Sequence, residues 1–108
     1  MAALATATQP LSAQPAQPDA QLLAQAHDRC MTTYAVRLTK TAATDEAIYS
    51  EAVSGCSAVK NALGAAIARD FAVDRAAELA ALLEAQAKPN FLALLQRIRT
   101  DRLNRVRN

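Results

Sequence analysis

Apolar residues fall at three- and four-residue steps through most of the chain, and no stretch alternates with a period of two. Leu23, Ala26, Cys30, Tyr34 and Leu38 mark one face of a first helix. It starts at Pro18-Asp19, where Asp19 can cap exposed amides, and runs to about Lys40 without internal glycine or proline. Thr41 to Thr44 make a short connection. Thr44 is suited to cap the next helix, and Asp45 and Glu46 fall in its first turn, where the helix dipole favours negative charge.

The second helix carries the most regular face, Ile48, Ala52, Cys56, Val59, Leu63 and Ile67. Continued in phase it would bury Asp70, so the pattern predicts a break between residues 69 and 72. A third helix follows from about Ala72, with Val73, Ala76, Leu79, Ala80, Leu83 and Ala87 on its inner side. Pro89 disfavours a helical Lys88 and suits the first turn of a new helix, so a fourth segment is expected to start there, burying Phe91, Leu94, Leu95 and Ile98. Beyond Ile98 the face decays, because Arg102 falls on its apolar side. The last turns are expected to leave the core or fray.

Residues 1–18 have no such period, no charge and three prolines, and read as a disordered lead-in. The organisation expected is therefore a lead-in over 1–18 and one all-α domain over 19–108. That domain is a small four-helix unit built on an N-terminal antiparallel helical hairpin. Ala3-Leu4-Ala5 and Ala5-Thr6-Ala7 match the small-residue pattern that precedes a signal-peptidase cut, so the leading expectation is an exported protein, periplasmic or secreted, whose signal has been removed. An ordinary cytoplasmic tail is the alternative. No run approaches the roughly 20 apolar residues needed to cross a bilayer.

Composition shows how small the core must be. Hydrophobic residues make up 52% of the chain, but 27 of its residues are alanine, which favours helix and buries little area. Such a core needs a staple, and Cys30 and Cys56 are placed to supply it. With a turn centred near residue 43, position 56 lies opposite position 30, and both cysteines fall on faces assigned from other residues. Axial distance and rotation agree on a Cys30–Cys56 disulfide. Such a bond supports export, since cytosolic thiols stay reduced.

The candidate chemistry is sparse. His27, three residues before Cys30, could be combined with the two cysteines into a thiol-dependent enzyme or a metal site, but no CxxC or HxxxH spacing accompanies it. Asp19, Asp45, Glu46, Asp70 and Asp74 sit where helix ends explain them. Ser54-Gly55-Cys56-Ser57 lacks the strand that a nucleophile elbow requires, and no phosphate, dinucleotide or calcium loop is present. No catalytic residue, cofactor or metal is assigned.

The net charge of +2 calls for no particular partner. Its distribution is uneven, with five arginines among the last twelve residues, Arg97, Arg99, Arg102, Arg105 and Arg107. They are a candidate interaction surface, although at about 100° per residue they encircle a helix instead of sharing a face. The leading functional expectation is an interaction protein that binds another protein or a second copy of itself. A nucleic-acid-binding module using the arginine-rich end is the alternative, and a thiol-dependent enzyme or metal protein the second alternative.

Overall fold

A computed structural model describes residues 18–107, all of it helix and short connections. The expected lead-in lies outside the described residues, apart from its last residue. The four helices are α1 (Ala20–Leu38), α2 (Asp45–Gly55), α3 (Ser57–Asp70) and α4 (Val73–Arg107). Two helix starts are capped as the sequence suggests: Asp19 Oδ1 accepts from the Leu22 amide at 2.8 Å, and Thr44 Oγ1 from the Ala47 amide at 3.2 Å.

The number of helices agrees with the sequence reading, but two of the divisions do not. The expected second helix is interrupted at Cys56, which leaves the helical region at φ −105° and ψ 14°. Glycine and serine beside it, in Ser54-Gly55-Cys56-Ser57, are weak helix formers, and such pairs are a common cause of kinks. Conversely, the break expected at Pro89 does not occur, and α4 continues through it for 35 residues, about 52 Å of helix. Proline removes one backbone donor and crowds the carbonyl four residues back. Here Pro89 is exposed, and Phe91 and Leu95 just beyond it are anchored in the core, which holds the helix on its course.

The core gathers around the α1–α2 end of the molecule. Met31, Ala35, Ile48, Ala52, Cys56, Phe91 and Leu95 form one cluster, with Tyr49 tilted against Phe91 at a ring separation of 5.5 Å. The inner line of α1 runs through Met31 and Ala35, one residue round from the expected stripe. Cys30, Tyr34 and Leu38 flank it half-buried, because α1 packs against α2 and α3 on one side and α4 on another.

Two contacts tie α1 to the α2–α3 segment at increasing distance from the turn at residues 39–44: Cys30 meets Cys56 midway, and the Arg69 guanidinium donates to the Pro18 carbonyl at 3.1 Å. Cys30 and Cys56 stand at disulfide distance, with Cα atoms 6.0 Å apart. Gly55 permits this approach. A Cβ there would lie 1.9 Å from the Tyr34 hydroxyl and 2.2 Å from the ring carbon bearing it.

Residues 103–107 are all exposed and leave the core as the sequence suggests, although the helix itself persists without fraying. Helix α4 runs to Arg107, and Arg102 faces inward for a polar purpose. Its guanidinium donates to the Val36 carbonyl at 2.9 Å and to Thr39 Oγ1 at 2.6 Å. Val36 belongs to the last turn of α1, whose carbonyls lack partners within their own helix and carry the negative end of the dipole. Arg102 thus caps α1 from another helix. Arg99 pairs with Asp45 at the start of α2, and Lys88 with Glu46 at 2.7 Å.

Candidate binding cleft

The two halves of α4 behave differently. Beyond Pro89 the helix is seated in the core, whereas from Val73 to Gln86 it contributes no buried residue. The inner side expected for this stretch is therefore corrected in part: Val73 is 85% exposed, Leu83 42% and Ala80 is exposed too, whereas Ala76, Leu79 and Ala87 are half-buried. The cause is spacing. Alanines on this stretch reach too little to close the gap to α3, and α4 stands off as a partly unsupported wall.

Two hollows result, sharing Leu63, Ile67 and Leu83. The first, of about 420 Å³, lies between α1, α3 and α4, with an apolar floor from those three residues and from Ala80 and Ala87. Its polar rim contains His27, Asn61, Gln86 and Asn90, together with Lys60 and Glu84, whose side chains pair across it at 3.2 Å. The second, of about 240 Å³, lies beside the start of α1 and is bounded by Ala20, Ala24, Phe71, Leu79 and Leu82. No charged side chain is among its lining residues.

His27 is half-buried at the rim of the first hollow. Removal from water lowers its pKa below the ordinary histidine value; neighbouring Asp28 opposes this and Lys60 adds to it. It therefore stands neutral at pH 7, able to donate from one ring nitrogen and accept at the other. Among the described residues no group of three or more His, Cys, Asp or Glu side chains could hold a metal ion.

Gly64 adds a second feature to the first hollow. A Cβ built there meets nothing within 4 Å, and the residue sits inside α3 with no positive φ. A glycine inside a helix costs roughly 1 kcal/mol relative to alanine. Gly55 is explained by the Tyr34 ring; nothing among the described residues explains Gly64.

The five arginines singled out in the sequence do not come together as one surface. Arg99 and Arg102 are engaged with the α1–α2 connection, while Arg97, Arg105 and Arg107 are exposed at different angles on α4. Neither hollow was foreseen from the sequence. The missed signal was the shortage of large side chains from Ala72 to Ala81, where a helix is specified but a tight seat for it is not.

No helix among the described residues is long and apolar enough to cross a membrane. No protein-family model matches the chain, and comparison with curated proteins and with solved structures gives no significant match.

Proposed function

We propose that the chain is an exported, non-enzymatic interaction protein, and that a protein partner or a second copy docks on the N-terminal half of α4. The observation that carries this reading is the exposure of Phe71, Leu82 and Leu83 around an uncharged hollow. Large apolar side chains lining one hollow, against an otherwise alanine-rich surface, favour association over solvation. Export is supported by the placement of Cys30 against Cys56, since an oxidising compartment would let the bond form and persist.

The rival reading, nucleic-acid binding through the arginine-rich end, loses support from the engagement of Arg99 and Arg102 within the fold. Three remaining exposed arginines at scattered angles would release few counterions together. A thiol-dependent site is disfavoured by the placement of both sulfurs against each other.

The test compares two variants on the full chain. Leu82→Asp should abolish the complex that the wild type forms, read as mass by light scattering on column-purified native extracts, because it puts a charge in the centre of the docking face. Arg105→Ala should leave it intact. Loss with Arg105→Ala and retention with Leu82→Asp would overturn the reading in favour of the arginine end.

A further inference from the structure

Gly64 and the first hollow point to an adjoining site, which shares Leu63, Ile67 and Leu83 with the docking face. We propose that the hollow between α1, α3 and α4 binds an uncharged amphipathic small molecule, with an apolar chain or ring system seated over Gly64 and a hydroxyl, carbonyl or amide head at the rim.

Volume sets the size of the occupant. At about 420 Å³ the hollow falls within the range of small-molecule sites, which run from roughly 300 to 1,000 Å³ and combine an apolar lining with a few placed polar groups. It does so here with Leu63, Ile67 and Leu83 below and Asn61, Gln86 and Asn90 above.

Gly64 sets the depth. Every other residue lining this hollow has a side chain to fill space, whereas Gly64 presents bare, exposed backbone to it, in a position where an added Cβ would meet nothing within 4 Å. A mid-helix glycine weakens its helix, and no contact among the described residues offsets that here. Close approach by an occupant supplies the missing reason.

Charge sets the class of head group. Lys60 and Glu84 are the two charged residues of the lining, and they satisfy each other at 3.2 Å. What remains is three primary amides and the His27 ring. Amides present both donors and acceptors, so they match a neutral polar head. A carboxylate approaching Lys60 would also meet Glu84, and an ammonium approaching Glu84 would also meet Lys60, so neither finds a net opposite charge. Burial keeps His27 neutral as well, consistent with that preference.

The experiment titrates the full chain with N-phenyl-1-naphthylamine, an uncharged apolar fluorophore whose emission rises in apolar surroundings. One saturable site per chain is expected. Displacement by 1-decanol should be at least about tenfold stronger than by decanoate at pH 8, both kept below their aggregation limits. Gly64→Phe, which fills the hollow from below, should weaken the probe by about tenfold or more, with Gly64→Leu as the second variant should the larger ring disturb folding. Helical circular dichroism and melting monitor that folding. Leu82→Asp lies in the second hollow and should leave the affinity unchanged, which separates this site from the docking face.

Absence of saturable binding would overturn the proposal. So would unchanged affinity in a folded Gly64→Phe or Gly64→Leu chain. Equal displacement by decanol and decanoate would overturn the uncharged head group.

Discussion

Cys30→Ser or Cys56→Ser, or reduction of the wild-type chain, should lower stability by about 3 to 4 kcal/mol. The bond would close a loop with a sequence separation of 26, and in the chain-entropy picture that loop removes freedom from the unfolded chain in this amount. For a domain of this size the change corresponds to a fall in melting temperature of at least about 12 °C. Such a share is large because the largest fully buried side chains are Ile48, Leu95 and Cys56 itself. Calorimetry with and without reductant, paired with intact mass under non-reducing conditions, checks both parts. Two free thiols after oxidative purification, or an unchanged melting temperature on reduction, would show that the bond contributes nothing.

Gly55→Ala should destabilise the fold, although alanine is the better helix former by roughly 1 kcal/mol. The new Cβ would collide with the Tyr34 ring, and filling space that is already occupied costs about 1 to 3 kcal/mol. Tyr34 is half-buried with its ring under the Arg37 guanidinium at 4.8 Å, so moving the ring aside gives up that contact. The clash outweighs the gain in propensity. Chemical denaturation should show a net loss approaching 2 kcal/mol, together with a changed near-ultraviolet signal from Tyr34. Equal or higher stability in Gly55→Ala would mean that the ring is free to move.

Local rules made the first half of the chain readable. Asp19 and Thr44 are short-range capping signals, each acting on an amide three residues away, and nothing elsewhere in the fold overrides them. The approach of Cys30 to Cys56 followed from equal spacing about a short turn, a constraint that needs no knowledge of the rest of the core. Pro89 defeated the same kind of reasoning. Its local preference for a helix start was outweighed by the anchoring of Phe91 and Leu95, and that contest is decided in three dimensions.

Arg102 shows another limit. In one dimension it interrupts an apolar stripe, while in the fold its inward direction lets it reach carbonyls at the end of α1. The cleft was hidden for a further reason. Periodicity reports which way a residue faces, not whether its neighbour is long enough to meet it, and alanines at Ala80 and Ala87 satisfy the pattern while leaving space. Gly64 was visible in the sequence, but its meaning required the empty volume above it.

The most direct measurement of the proposed docking face is site-specific photocrosslinking in the native setting, with a photoreactive side chain placed at position 82 and, separately, at position 105. Both positions are exposed, so the probe perturbs the core at neither. Docking on the first half of α4 predicts a discrete adduct of one defined mass from position 82, either with one partner or with a second copy, and none from position 105. A discrete adduct from position 105, with position 82 silent, would contradict the account.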